Sequence, residues 1–375
     1  MTAKQFGVAY IGAGAVVEQR HLPGLARTGQ GIARGIFDPN LDKARRVAEK
    51  FHIPVVAPSL QEAIEADGVD IVVIASPNSF HVKGALAAAA AGKHVFCEKP
   101  MALNLADSRR MCQAAAAAGV QLFVGFHHRF SAEHLCARRI LAEGLIGRIS
   151  AFHGVTSEPI DTIPGGIANY RFRPEQGGGL SLIDFGSHRI DQMRDLLGEV
   201  EEVYVEMASV LPAHNLDDSV VLSLKMKSGA IGSLGFHRFS RGYLSPSHLF
   251  GAEGTLSISS MIVNPFQSAP LSLYTERAPE TLPQDLLDLA RPEGWWGEWR
   301  PGWINLWPPR RDTFQGQYES LFASILEGRS AEVGGEDGYK TLEIVLAAYL
   351  SHQRRRPVRL PLDPAAEISA PSFPA

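Results

Sequence analysis

Glu98-Lys99-Pro100 closes the apolar run His94-Val95-Phe96-Cys97 and opens into Met101-Ala102-Leu103-Asn104. A charged pair there stands where a sheet strand stops and its backbone turns. Open α/β sheets bind ligands at that carboxyl edge. A Lys held there and partly desolvated can trade protons near neutral pH. Read alone, the tripeptide is more simply a solvated pair at a strand end, with Pro opening a helix. Its surroundings reverse that reading.

Asp184 and His188 stand four residues apart. If Leu180–Leu197 is one helix, both project from one face, with Cβ atoms about 5–6 Å apart. A carboxylate near an imidazole raises its basicity and orients it. Oxidising a carbinol needs one group to take the hydroxyl proton while hydride leaves the carbon. Lys99 and His188 are two candidates for that group, with Asp184 as the partner that holds geometry and charge. An ordinary intrahelical pair would look the same, and the run Gly177-Gly178-Gly179 just before it favours a site. The spacing could also suit a metal, but no third ligand stands out, so none is expected.

A nucleotide site is expected earlier in the chain. Gly12-Ala13-Gly14-Ala15-Val16-Val17 follows the first apolar run. It carries two glycines of the G-x-G-x-x-G fingerprint, one for the tight turn and one for close approach of a pyrophosphate. Val17 takes the third position, which implies looser helix–strand packing. Asp38 ends the second run, where a carboxylate accepts hydrogen bonds from the adenosine ribose and repels a 2′-phosphate. NAD is therefore preferred. Lys43 and Arg45 keep NADP possible.

These residues need elements to hold them. Apolar runs at Phe6–Ile11, Ile32–Phe37, Pro54–Ala57, Asp70–Ala75, His94–Cys97 and Gln121–Phe126 alternate with helical stretches at Leu41–Phe51, Leu60–Ala66, His81–Ala91 and Leu105–Ala118. That alternation predicts a parallel sheet covered by helices. The Ala tracts let helices lie close on it. Beyond about residue 126 the texture changes to alternating, β-branched runs at Ile149–Val155, Glu202–Leu211, Ser219–Met226, Ala230–Phe236 and Thr255–Ile258. A second domain on a mainly antiparallel sheet is expected, covered by helices at Leu180–Leu197, Phe314–Leu326 and Gly338–His352. Lys227-Ser228-Gly229 reads as a hairpin turn. The division is 1–126, 127–356 and an extended Pro-, Ala- and Ser-rich tail, 357–375.

Bulk composition excludes several classes. The 375 residues are 45% hydrophobic and carry a net charge of −4, which gives no reason to expect nucleic acid or an anionic membrane. No leading signal core and no bilayer-length apolar run stand out. Cys97, Cys112 and Cys136 make no CxxC, so reduced thiols in the cytoplasm are expected. Cys97 is read as a small buried apolar residue.

Ala75-Ser76-Pro77-Asn78-Ser79-Phe80-His81 and Ala90-Ala91-Gly92-Lys93-His94-Val95-Phe96-Cys97-Glu98-Lys99-Pro100 resemble the Gfo/Idh/MocA oxidoreductase family. The resemblance continues through Gly177-Gly178-Gly179-Leu180-Ser181-Leu182-Ile183-Asp184-Phe185-Gly186-Ser187-His188-Arg189-Ile190-Asp191. It implies an N-terminal Rossmann domain and a C-terminal α/β domain with a large open sheet that often mediates dimers or tetramers. It implies NAD(P)-dependent redox chemistry on a sugar, polyol or related carbinol. By motif position, Ser76, Pro77, Asn78 and His81 would line the ribose and nicotinamide side, Glu98 would face the nicotinamide ribose, and Lys99 would be catalytic. A cis peptide before Pro100 is implied as well. His127-His128-Arg129-Phe130 departs from the family's usual Asn at its first position. His127 could touch substrate, and Arg129 is read as structural. Tyr170 and Arg171 are expected substrate or cofactor contacts.

All five tryptophans fall between Trp295 and Trp307, at Trp295, Trp296, Trp299, Trp303 and Trp307. They are expected to form a packed lid or interface, with stacking on a sugar as the alternative. The leading function is an NAD-dependent dehydrogenase or reductase of a sugar, inositol or glycoside hydroxyl. A glycoside-cleaving enzyme using transient oxidation is a second reading. A non-catalytic NAD-binding regulator is a third, and it should lack Lys99, Asp184 or His188.

Overall fold

The computed structural model describes residues 4–211, 214–240, 242–259, 269–290 and 302–373. Six strands form the first sheet: β1 (Phe6–Ile11), β2 (Gly31–Phe37), β3 (Val55–Val56), β4 (Ile71–Ile74), β5 (His94–Cys97) and β6 (Leu122–Val124). Their order is β3-β2-β1-β4-β5-β6, and every pairing is parallel. All six residues of β1 and all four of β4 are buried, as expected of strands covered on both faces. The order reverses between β1 and β4, so a crevice opens at their carboxyl ends.

The small residues in the helices have a packing reason. A Cβ added to Gly84, in the His81–Ala90 helix, would stand 3.2 Å from Ile74 of β4. Side-chain caps start the helices sharply. Asn40 accepts from Lys43 N, and Asn104 from Asp107 N.

The second sheet contains β7 (Ile149–Ser157), β8 (Val200–Ala208), β9 (Ser219–Met226), β10 (Ile231–His237), β11 (Pro246–Gly251), β12 (Gly254–Ser259), β13 (Leu271–Thr275), β14 (Gly302–Leu306) and β15 (Val358–Arg359). Its order is β14-β13-β12-β11-β7-β10-β9-β8-β15. Within this second sheet only the β7–β10 pairing is parallel among the described strands. The β9–β10 hairpin turns at Gly229, as its sequence predicts. The sequence runs missed β11, β13, β14 and β15. Pro246 opens β11, β13 alternates over only five residues, and β15 has just two, so each leaves a short signal. The segment after residue 357 begins as β15 on the sheet edge, and Phe373 N donates to Asn215 O at 3.0 Å.

The expected helix Leu180–Leu197 is wound in two ways. Leu182–Gly186 forms a wide π turn, and Ser187–Leu197 is α-helical. Such widened turns free backbone groups and recur at functional sites. Helices Thr313–Glu327 and Gly335–Arg354 cover the junction of the two sheets. A helix at Ala132–Ala142, which the sequence reading did not single out, joins them. No helix among the described residues is long and apolar enough to cross a membrane.

Candidate active site

The crevice at the β1/β4 switch point continues into the second domain as a cleft of about 890 Å³, within the size range of small-molecule sites. Gly14, Ala15 and Val16 line one end. Lys99, His127, His128, Tyr170, Arg171, Asp184 and His188 line the other. A smaller adjoining hollow of about 210 Å³ adds Ser76, Asn78, His81 and Glu98.

The glycine loop is shaped as a dinucleotide cradle. Gly12 has φ +110°, and a Cβ there would meet Ala75 O at 2.6 Å. Gly14 faces open space, with no heavy atom within 4 Å of a Cβ built on it. Backbone could therefore meet a phosphate there without obstruction. Asp38 Oδ2 accepts from Ala13 N at 2.9 Å and Oδ1 from Asn40 N at 2.9 Å, which fixes the carboxylate at the end of β2. Lys43 Nζ is 3.8 Å from Asp38. Val17 is fully buried and the chain after it opens as a π turn, Val17–His21, rather than as a regular α-helix.

Glu98 and Lys99 leave β5 in different directions, and the Lys99–Pro100 peptide is cis. Glu98 is buried, and its Oε1 lies 2.9 Å from His21 Nε2. His21 Nδ1 lies 3.0 Å from Tyr318 Oη. Burial acts to raise the Glu98 pKa, but the His21 contact and Lys99 outweigh it and hold the carboxyl below its usual range. Gly125 leaves room for this carboxylate: an added Cβ would stand 3.0 Å from Glu98 Oε1. His81 holds the turn from behind, with its ring nitrogens 2.9 Å from Pro100 O and from Ser76 O. Asn78 Nδ2 donates to Gly177 O at 2.9 Å, and Tyr170 Oη to Asn78 Oδ1 at 3.4 Å. Cys97 is fully buried and burial pushes its thiol pKa up, in keeping with an inert role.

Lys99 Nζ donates to Asp184 O at 2.6 Å and to Asp184 Oδ1 at 3.0 Å. Asp184 also takes Arg171 Nε at 3.1 Å and Arg238 Nη2 at 2.5 Å. Burial would raise its pKa, but Arg171, Lys99 and Arg238 prevail and hold the carboxyl well below the usual carboxylate range. This corrects the expected Asp184–His188 pair. The carboxylate is captured by three cations, and the His188 ring packs elsewhere. It stacks on His128 at 4.5 Å and meets His127 edge-on at 4.8 Å. Its Nδ1 is buried without a hydrogen-bond partner among the described residues. Burial first, then Lys99, His128 and His127, push the His188 pKa well below its usual value. Its basicity is lowered, where the sequence spacing predicts a rise.

Two further histidines share this environment. Burial pushes His127 well below its usual pKa and His128 down to about 3. His127 Nδ1 lies 3.1 Å from Thr313 Oγ1. His127, His128 and His188 bring ligand atoms within 4.8 Å of one another. Asp184, which the sequence spacing paired with His188 as a conceivable metal ligand, is not in this group. Lys99, Arg20 and Arg189 act on these same rings, however, and a divalent cation would meet their repulsion.

Arg129 is structural, as expected. It bonds Asp191 at 2.6 and 2.7 Å and Asp337 at 2.9 Å, tying the domain junction to two helices. Sequence reading missed Asp217, which is fully buried and accepts from Leu180 N at 2.9 Å and Leu182 N at 2.8 Å. It fixes the start of the segment that carries Asp184 and His188. Burial, resisted by those N–H groups, pushes its pKa up to about 6. Arg189, Arg238 and Phe314 also line the cleft and were missed. The glycine run is set by packing: Gly179 has φ +129°, and a Cβ there would overlap Tyr349 Oη.

Trp295, Trp296 and Trp299 lie outside the described residues. Trp303 is 58% exposed on β14 against Tyr274, and neither it nor Trp307 is among the residues lining the cleft.

A six-stranded parallel domain with a nucleotide cradle, joined to a domain with an open mixed sheet, with a half-buried Lys99–Asp184 pair in the cleft, defines a class of NAD-binding oxidoreductases. Residues 6–126 match the family model "Oxidoreductase family, NAD-binding Rossmann fold", and residues 134–257 match the GFO/IDH/MocA C-terminal domain. The chain belongs to the Gfo/Idh/MocA oxidoreductase family. It is 32% identical over 254 residues to 1,5-anhydro-D-fructose reductase of Ensifer adhaerens, covering 66% of this chain and 73% of the relative. It is 29% identical over 348 residues to myo-inositol 2-dehydrogenase of Thermotoga maritima, covering 91% and 94% of the two chains. A solved levoglucosan dehydrogenase in complex with NADH and levoglucosan has the same fold, with a TM-score of 0.81 at 24% identity over 96% of this chain and all of that one.

Proposed function

We propose that this chain moves hydride between a hydroxyl-bearing carbon of a sugar, inositol or glycoside and NAD. The observation that carries the reading is Lys99, fixed by Asp184 at the mouth of a glycine-lined dinucleotide cradle. Gly12, Ala13, Gly14, Ala15 and Val16 suit the pyrophosphate, and Asp38 suits an unphosphorylated adenosine ribose. Ser76, Pro77, Asn78, His81 and Glu98 would surround the nicotinamide end. NAD, when bound, supplies the hydride acceptor.

The chain's own residues would manage the proton. Lys99 donates two bonds to Asp184, so its ammonium is held ready to stabilise a developing alkoxide. His188, a neutral imidazole lining the same cleft, would accept a hydrogen bond from the substrate hydroxyl, though its lowered basicity weakens it as a proton acceptor. His127, Tyr170 and Arg171 would contact the substrate. The relatives' names, an inositol dehydrogenase and an anhydrofructose reductase among them, support a polyhydroxylated substrate.

Exposed Val221, Ile231, Phe250 and Trp303 on the second sheet support self-association through that sheet, as a dimer or tetramer. Three cysteines without a disulfide are in keeping with the cytoplasm. The test is a panel of sugars, polyols and glycosides with NAD and NADP, followed at 340 nm. Turnover faster with NAD supports the reading. Glycoside cleavage with no net change at 340 nm would favour the transient-oxidation enzyme. Tight NAD binding with no turnover of any compound would favour the regulator.

A further inference from the structure

One imidazole ties three parts of the molecule together behind the cleft. His21 ends the π turn that follows the glycine cradle. It is fully buried and lines neither the cleft nor the hollow beside it. Its Nε2 lies 2.9 Å from Glu98 Oε1, just past the end of β5. Its Nδ1 lies 3.0 Å from the hydroxyl of Tyr318, in the Thr313–Glu327 helix. That hydroxyl is 3.2 Å from Tyr10 Oη on β1. Phe96, Phe314 and Tyr318 meet the ring edge-on at 5.1, 4.9 and 5.9 Å and hem it in.

Such a ring is a handle on Glu98. An ionised carboxylate only accepts, so His21 Nε2 carries the proton of that bond. Burial raises the Glu98 pKa, and His21 is the largest of the influences that bring it back down. Glu98 Oε2 accepts from Lys99 N at 3.2 Å. Each oxygen thus has a fixed partner and keeps a second lone pair. The carboxylate lines the hollow that it shares with Ser76, Asn78 and His81, where the nicotinamide end of NAD would lie. Beyond Tyr318 the bonds lead to Tyr10, which is fully buried, so they brace the ring rather than carry protons to water.

We propose that His21 is a positioning residue for the nicotinamide half of the cofactor: it aims the Glu98 carboxylate at the ribose hydroxyls there, with Tyr318 fixing its ring from the second domain. This rests on the dehydrogenase reading above and adds to it a residue that touches neither cofactor nor substrate. Without His21, Glu98 would keep its burial and lose its strongest counterweight. It would turn and protonate more readily, and hold a hydroxyl less well.

The test is calorimetry with ADP-ribose and ADP, which differ by the ribose in question. The ratio of their affinities reads what that ribose adds. His21→Leu should cut the ratio about tenfold and leave ADP binding within about twofold. NADH binding should follow ADP-ribose. His21→Gln, which can still offer Glu98 an N–H, should restore part of the ratio. On a Glu98→Ala background, His21→Leu should change the ratio by less than about twofold, because its target is gone. If His21→Leu does not fold, Tyr318→Phe, which removes one hydroxyl, should lower the ratio by about threefold. An unchanged ratio, an equal loss of ADP and ADP-ribose, or a full loss on the Glu98→Ala background overturns the inference. So does a ribose that adds nothing to the affinity of the unaltered enzyme. A histidine that served folding alone would move melting and both ligands together. The dehydrogenase reading is judged separately at 340 nm, because these ratios need no turnover and either result can fail while the other stands.

Discussion

The Rossmann side of the cleft is shaped by main-chain groups and by space left by missing side chains, the features that would receive a dinucleotide. Gly12, Gly14 and the Ala13 N–H that fixes Asp38 lie within one loop and one strand end. The other side is built from charged side chains that arrive from distant segments. Lys99, Arg171 and Arg238 come from three separate segments and all meet the Asp184 carboxylate within about one hydrogen-bond length. The first design would suit a ligand that is always the same. The second can be varied residue by residue without disturbing the fold, which suits a family with many substrates.

The sharpest way to break this comparison is Lys99→Ala. It removes the group that would stabilise the alkoxide but touches nothing in the glycine cradle. Turnover should fall by about 10²- to 10⁴-fold. NAD binding, measured by calorimetry, should change little. Near-unaltered turnover would remove Lys99 from the reaction.

The opposite wall is probed by two glycine substitutions with different expected results. Gly12→Ala forces a Cβ against Ala75 O at a backbone angle of φ +110°. It should cost about 1–3 kcal/mol of stability and weaken NAD binding, with melting and calorimetry as readouts. Gly14→Ala places its Cβ in open cleft. Stability should stay within about 0.5 kcal/mol, while NAD affinity drops about tenfold, a change of about 1.4 kcal/mol. Equal effects on melting would mean that Gly14 serves packing rather than ligand approach.

The same contrast explains what the sequence could and could not disclose. The cradle was legible because its parts are local: a strand, two glycines, and an acidic residue at the next strand end. The Glu98-Lys99-Pro100 turn was legible for the same reason. The partners of Asp184 were not. Spacing paired it with His188, its neighbour four residues on, but Arg238 sits 54 residues away and Lys99 85. They meet because Lys99 leaves the end of β5, Arg238 the end of β10, and Asp184 lies on the π turn. Arg189 lay inside a quoted motif and still carried no signal, because its burial depends on Ser245, 56 residues further on. Asp217, too, is a pair of backbone contacts across 35 and 37 residues, with no local pattern to announce it.

The smallest effect to seek is the charged wall's share of a pH slope to which other buried histidines, His81 among them, also contribute. Burial and neighbouring cations depress the pKa of His127, His128 and His188 in the folded chain below the ordinary 6.5. Below that pH the unfolded chain therefore binds protons that the native chain does not. Stability then rises with pH up to about 6.5 and falls as the solution is acidified below it, by at most about 1.4 kcal/mol per pH unit for each histidine. Chemical denaturation at pH 5 and pH 7.5 should show this loss, and it should shrink by up to one proton's worth in His127→Gln. The comparison is made at saturating NADH as well as without it. If the slope follows the bound nucleotide rather than the histidine, proton linkage lies in the cradle, and the two walls are less independent than their construction suggests.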